Sequence, residues 1–278
     1  MARFKLYIEY EGTRFSGWQV QKNARTVQGE LIGVMKSVFG TGDFELYGSG
    51  RTDGGVHALC QVAHLDVKTV LAPPVIRMKV NDLLPADINI IEVEKAAPAF
   101  HARHDAVARS YLYQISRRRT AFGKRSVWWI KDSLDGEKMW QALQCFTGVN
   151  DFQSFTADDP EEKSTRVQID SVDMKEAGDL ILIRIVGSHF IWKMVRQIIG
   201  TIVEVGRGNL AMNDLKSFLH NASVEPAKYT APPSGLFLER VYYRGDHRLR
   251  DLRPVLEVSS PMVSRHHDQE KDTKEKKG

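Results

Sequence analysis

Apolar and polar residues alternate over the first ten positions, with Phe4, Leu6, Ile8 and Tyr10 separated by Lys5, Tyr7 and Glu9. That is the period of a strand with one buried face. From Val27 the period changes. Leu31, Val34, Met35 and Val38 then fall on one side of a helix, which Gly40 and Gly42 should end. Extended runs follow at 44–49, 58–67 and 88–94, with room for a helix between Pro73-Pro74 and Pro85. The second half opens with a strand at 109–116 that alternates through Tyr111, Tyr113 and Ile115. A helix is expected next, with Ser133 as its N-cap, an apolar stripe of Met139, Leu143 and Phe146, and Gly148 at its end. Two apolar runs, 167–174 and 180–187, flank the turn residues Glu176-Ala177-Gly178-Asp179 and predict a hairpin. A helix over 190–205 would turn Phe190, Met194, Ile198, Ile202 and Val205 inward and carry Lys193, Arg196 and Gly200 on another face. A short helix near 213–220 and a strand at 236–243 close the body.

Helices mixed with mainly hairpin-connected strands predict an α+β fold rather than a parallel doubly wound sheet. We expect two α+β halves, 1–98 and 99–245, with mainly antiparallel sheets joined across the molecule and a basic cleft between them. Past Pro254 apolar residues become too sparse to offset the entropy of ordering the chain, so residues 246–278 read as a disordered tail.

Composition narrows the field without deciding it. The net charge is +4, of which the tail, with eight Lys/Arg and seven Asp/Glu, supplies only +1. The basic character therefore belongs to the body and suits a polyanionic partner. No run approaches the roughly 18 apolar residues that a membrane helix needs, and the N-terminus lacks a signal peptide's apolar block, so a cytoplasmic protein is expected. Cys60 and Cys145 are the only cysteines and form no CxxC pair, which supports neither a disulfide framework nor a cysteine zinc site.

Chemistry concentrates at 48–58, Gly-Ser-Gly-Arg-Thr-Asp-Gly-Gly-Val-His-Ala, between two strand-like runs. Glycines allow left-handed backbone and close approach, so such a loop can hold a few side chains in one pose. Taken alone, it reads equally well as a hairpin turn, since Asp-Gly is a common turn pair. Its glycine spacing is neither GxGxxG nor GxxxxGK[ST], which sets a phosphate loop aside.

The stretch GSGRTDGGVHA resembles the GRTDxGVHA signature of TruA-type transfer-RNA pseudouridine synthases. Further segments resemble the family in its order: YEGTRFSGWQVQ at 10–21, TVQGEL at 26–31, AFHARHDAVARSYLY at 99–113, NDFQSF at 150–155, MVRQIIGTIVEVGRG at 194–208 and GLFL at 235–238. Two residues depart from the pattern: Gly54 stands where alanine is usual, and His104 where an aromatic residue is usual. The resemblance implies the pseudouridine synthase fold, an enzyme that needs no cofactor or metal, tRNA as partner, and a homodimer in which one tRNA contacts both subunits. It implies uridines of the anticodon stem-loop, at tRNA positions 38 to 40, as targets.

The resemblance also assigns residues. Asp53 is implied as the catalytic carboxylate, and Arg51 as the group that displaces the target nucleotide. Two residues apart in extended chain, these side chains would share a face and form an ion pair. Tyr111 is implied to stack on the target uracil, with Arg196 near the carboxylate and Leu236 lining the pocket. Arg103, Arg109, Arg117, Arg118 and Arg119, interleaved with Tyr111, Tyr113 and Phe122, form a candidate RNA-binding surface. Two other readings compete. A non-catalytic RNA-binding module would show the same basic, aromatic surface. A metal hydrolase would rest on His57, His64, His101 and His104, which have no nearby glutamate or third well-placed ligand.

Overall fold

The computed structural model describes residues 1–157 and 164–258. Ten strands form one sheet. They are β1 (Ala2–Tyr10), β2 (Phe44–Gly48), β3 (His57–Val67), β4 (Ile88–Lys95), β5 (Ala108–Ser116), β6 (Trp128–Trp129), β7 (Gly148–Asp151), β8 (Arg166–Ala177), β9 (Leu180–Gly187) and β10 (Leu236–Tyr242). The order is β4-β1-β3-β10-β5-β9-β8-β7, with β2 on β3 and β6 on β5. All pairings are antiparallel except β10 with β3 and β6 with β5. The mixed, mostly antiparallel sheet with helices is the α+β class expected.

The last strand lies in the middle. β10 joins the two regions of the sheet, pairing with β5 over six residue pairs but with β3 only through Phe237↔His57 and Leu238↔Ala58. Further along the same edge of β3, β2 takes over, from Gly48↔Ala63 to Phe44↔Val67. The loop from 49 to 56 therefore spans the fork where β3 exchanges one neighbour for another.

Helices cover one face. α1 (Val27–Phe39) is capped by the Thr26 hydroxyl, which accepts from the Gly29 N–H, and ends at Gly40 in left-handed backbone. With α2 (Pro73–Asn81) it encloses a core of Phe4, Leu6, Ile8, Leu31, Met35, Leu65 and Ile76. A second core packs α3 (Gly136–Gln144) and α4 (Met194–Arg207) on β5, β8 and β9 through Met139, Leu143, Phe146, Ile183, Ile198 and Ile202. α5 (Met212–Phe218) and α6 (Glu225–Lys228) lie beyond α4.

Three boundaries differ from expectation. Asp135, not Ser133, caps α3, because its carboxylate reaches the Lys138 N–H at 3.0 Å. Gly148 does not end that helix; α3 stops at Gln144, and Gly148 opens β7 with φ 95°. α4 begins at Met194, so Phe190 precedes it in the connection from β9.

The tail also needs correction where it is described. Residues 246–258 lie along the sheet face opposite the helices, with Leu252 and Val258 buried beside Leu112, Leu182 and Phe237. The Val255 N–H donates to Gln114 Oε1 at 2.7 Å, and Arg184 donates to the Asp251 carbonyl at 2.7 Å. Arg184 and Glu239 form a buried ion pair beneath that segment, at 2.7 Å. A few apolar anchors and backbone partners were enough to order a stretch of unremarkable composition. The rest of the expected tail, 259–278, lies outside the described residues.

Candidate active site

The loop between β2 and β3 is held from several directions. The Val56 N–H donates to the Asp53 carbonyl at 3.2 Å, closing a turn whose third residue, Gly55, has φ 81°. Left-handed backbone at that position selects glycine. Segment 12–18 grips the loop from one side. The Trp18 N–H donates to the Thr52 carbonyl at 3.1 Å, the Gly55 N–H to the Phe15 carbonyl at 3.2 Å, and Tyr10 and Thr52 join hydroxyls at 2.8 Å. From the strand side, Gln61 Oε1 accepts from the Ser49 hydroxyl at 2.6 Å while its amide donates to the Gly50 carbonyl at 3.1 Å.

His57 anchors the end of the loop. Its Nδ1 accepts from the Gly12 N–H at 2.9 Å, and its Nε2 faces the carbonyls of Arg125 and Ser234 at 2.9 and 3.1 Å. Those partners require a neutral ring with the proton on Nε2. Burial pushes its pKa down in agreement, although Glu11 stands 3.8 Å from Nδ1. We read that carboxylate contact as unpaired, because an Nδ1 that accepts a hydrogen bond carries no proton to share.

With the backbone satisfied, the Asp53 carboxylate is presented at the surface of the fork, its side chain 25% exposed. Arg196 Nη1 donates to Asp53 Oδ2 at 3.1 Å. The same guanidinium donates through Nε to the Ala231 carbonyl at 2.8 Å, and the Ala231 N–H returns a bond to the Arg196 carbonyl at 3.0 Å. This interlock requires close approach of α4 to residues 229–231. A Cβ on Gly200 would sit 1.5 Å from the Tyr229 carbonyl oxygen, so glycine one turn beyond Arg196 lets the helix lie there. The face carrying Arg196 and Gly200 is thus directed at the site rather than at solvent.

Arg51 behaves otherwise. It is exposed, and no ion pair or hydrogen bond of its side chain is found among the described residues. The expected Arg51–Asp53 pair is corrected: the turn directs the carboxylate to Arg196 instead. Tyr111 on β5 stands where both cores meet, its ring edge-on to Phe190 at 5.0 Å. Burial foremost, with Asp53 adding to it and Arg109 opposing, pushes its phenol up to about 12, so it stays neutral. Leu236 is buried, paired with Tyr113 across β10 and β5.

The arginine cluster does not act as one surface. Arg109 is a clamp: its two terminal nitrogens donate to the carbonyls of Ala106 and Ser188, and of Ser49 and Arg103, at 2.9 to 3.2 Å. Four of its donors are thus committed to backbone, which removes it from the expected phosphate contacts. Arg117 and Arg118 follow the far end of β5, eight or more residues on and about 26 Å of extended chain away. There Arg117 pairs bidentately with Glu176, and Arg118 with Asp179 at 3.0 Å. Arg119 is exposed beside the Trp129 ring, and Arg103 is exposed in the loop before β5.

Three of the four histidines in the metal reading hold protein groups. Both nitrogens of His57 face protein groups, and Nδ1 of His64 and of His101 accept backbone N–H bonds. Among the described residues no three His, Cys, Asp or Glu side chains converge as a metal site. Two surface hollows, of about 560 and 500 Å³, are lined by residues of α1 and the segment before it with Leu83, and by residues 173–175 with 250–253, and neither includes Asp53.

Sequence reasoning missed the supporting contacts. Tyr10, Gln61 and His57 carried strand or loop patterns and no signal of their role. Phe190 read as part of a helical stripe.

The chain is similar in sequence to known proteins. A family model described as tRNA pseudouridine synthase matches residues 6–105 and 142–244. Proteins named tRNA pseudouridine synthase A from Brucella ovis, Brucella canis and Brucella suis are each 38% identical over 248 residues, covering 87% of this chain and 98% of theirs. A crystal structure of a Cbf5-Nop10-Gar1 complex aligns over 72% of this chain and 54% of that one, at 10% identity and a TM-score of 0.32, too distant to carry an argument. No helix among the described residues is long and apolar enough to cross a membrane. With the family model spanning both cores and the relatives matched almost end to end, the chain belongs to the tRNA pseudouridine synthase family, a family of isomerases.

Proposed function

We propose that Asp53 is the catalytic carboxylate with which this tRNA pseudouridine synthase isomerises uridines of the anticodon stem-loop, at tRNA positions 38 to 40. The observation that carries the reading is the Asp53–Arg196 pair, held on a hydrogen-bonded loop beside Tyr111 with the carboxylate still open to solvent. The reaction breaks the bond from N1 to C1′, turns the uracil and rejoins it through C5; C5 gives up a proton and N1 gains one. A carboxylate can add to the sugar or remove a sugar proton to give a glycal, and both routes need one oxygen facing the sugar while the other is held. Arg196 holds Oδ2 and leaves Oδ1 for the nucleotide.

Reaching a base in a stem requires flipping it out, at a cost of about a few kcal/mol. Arg51, exposed, would enter the stack in its stead. The neutral Tyr111 ring offers the extruded uracil a face, and Leu236 backs that part of the sheet. In this reading the halves 1–98 and 99–245 close on the target from either side, Arg103 and Arg119 meet phosphates, and the enzyme works without cofactor, as a homodimer, in the cytoplasm.

The test is modification mapping. Wild-type protein incubated with unmodified tRNA should yield pseudouridine at positions 38 to 40. Asp53→Asn should lower turnover by at least about three orders of magnitude with tRNA affinity within about threefold, since it removes chemistry and no phosphate contact. Binding without product by the wild type would instead support an RNA-binding module.

A further inference from the structure

Between β9 and α4 the chain passes through Phe190, Ile191, Trp192 and Lys193. Both ends of this segment touch the site. Phe190 meets the Tyr111 ring, and Arg196, in the first turn of α4, holds Asp53. Between them Trp192 is 51% exposed, whereas Trp18 in the core is 1% exposed. Indole is a large apolar surface, and folding gains most by covering it. A half-exposed tryptophan flanked by two site contacts is therefore suited to a ligand that supplies the cover.

The backbone supports the same conclusion. Lys193 has φ 61° and ψ 1°, a left-handed conformation that residues with a Cβ disfavour. Such strain persists where surroundings impose it, and it concentrates at ligand sites. Here it sets the Lys193 ammonium 4.8 Å from the centre of the Trp192 ring. The Trp192 carbonyl is fixed in turn, accepting from the Ala157 N–H and the Thr156 hydroxyl, each at 3.2 Å. An aromatic face and a cation are thus offered together on a held backbone.

We infer that Trp192 and Lys193 form a subsite for the nucleotide next to the flipped uridine, the indole stacking on its base and the ammonium meeting its phosphate. The inference rests on the reading of Asp53 as the catalytic carboxylate. Stacking on an aromatic face with a nearby cation is how single-stranded RNA is held without dependence on base identity. Trp129 with Arg119 has a similar composition, but it adjoins Ser116 at the far end of β5 from Tyr111.

The experiment titrates full-length Asp53→Asn protein, which binds without turnover, with tRNA. Adding Trp192→Ala should weaken the Kd about tenfold, and Trp192→Phe should recover most of that. Lys193→Gln should reduce the slope of log Kd against log salt by about one. A tRNA made abasic on one side of the modified uridine should render Trp192→Ala silent, which assigns the contact to that base. An unchanged Kd, an unchanged slope, or a Trp192→Ala loss that persists with abasic sites on either side overturns the subsite as stated. The Lys193→Gln arm stands even if Trp192→Ala does not fold. Wild-type product formation, followed in parallel, separates the two readings: product with an unchanged Kd sinks the subsite alone, and no product sinks the Asp53 reading.

Discussion

The loop at 48–58 and the arginines at 117–119 look alike as text, each a short polar stretch at a strand end, but the fold uses them differently. In the loop, Ser49, Gly50, Thr52, Gly55 and His57 direct hydrogen bonds to the protein around them, and one carboxylate is left facing out with a single guanidinium on it. In the arginine stretch, Arg117 and Arg118 turn to the nearest acids on the β8–β9 hairpin. A side chain is presented to a substrate when the groups around it are already satisfied. Surface charges with nothing to restrain them pair locally, for little energy.

That contrast can be broken or sharpened by substitution. Next to Asp53→Asn itself, the largest effect should come from Arg196→Gln, which removes the charge facing Asp53: single-turnover rate should fall at least about a hundredfold with tRNA Kd within about threefold. A loss below fivefold would mean the pair is incidental. Arg109→Lys is next. An ammonium offers three donors from one point and cannot span Ser49, Arg103 and Ser188 as the guanidinium does. We expect about a tenfold fall in kcat, a melting temperature lower by a few degrees and an unaltered salt dependence of tRNA binding. A salt slope reduced by one would return Arg109 to the RNA surface. Arg119→Gln should do the opposite, lowering the salt slope by at most about one without changing melting.

The smallest effect is expected at Gly54. A Cβ there would sit 3.5 Å from the Phe15 carbonyl oxygen, an ordinary contact, and the backbone is not left-handed. Gly54→Ala should gain about 0.4–1 kcal/mol in urea unfolding by restricting the unfolded chain, with kcat within about twofold. A loss of similar size would show that the turn needs glycine at both positions.

Much of the fold was legible because it rests on local periodicity. Alternation over 2–10 and the helical stripe from Val27 fall on β1 and α1, and the hairpin around Gly178-Asp179 is the turn between β8 and β9. The cap of α3 was misplaced because Ser133 and Asp135 are both good caps, and only the path of the chain selects between them. Residues 246–258 were misjudged because order there comes from a surface made by β5, β9 and β10, remote in sequence.

Residue order by itself determined eight of the ten strands, all but the short β6 and β7, most helices, the glycine-rich loop carrying Asp53, and family membership through motifs in sequence. These depend on neighbours within a few positions, whose spacing the chain states outright. The tertiary structure decided which guanidinium meets Asp53, that Arg109 clamps backbone instead of facing phosphate, and that β10 closes the middle of the sheet. Arg196 lies 143 residues from Asp53, and an arginine's reach exceeds the spacing between strands, so its partner is settled only when α4 docks against the 229–231 segment.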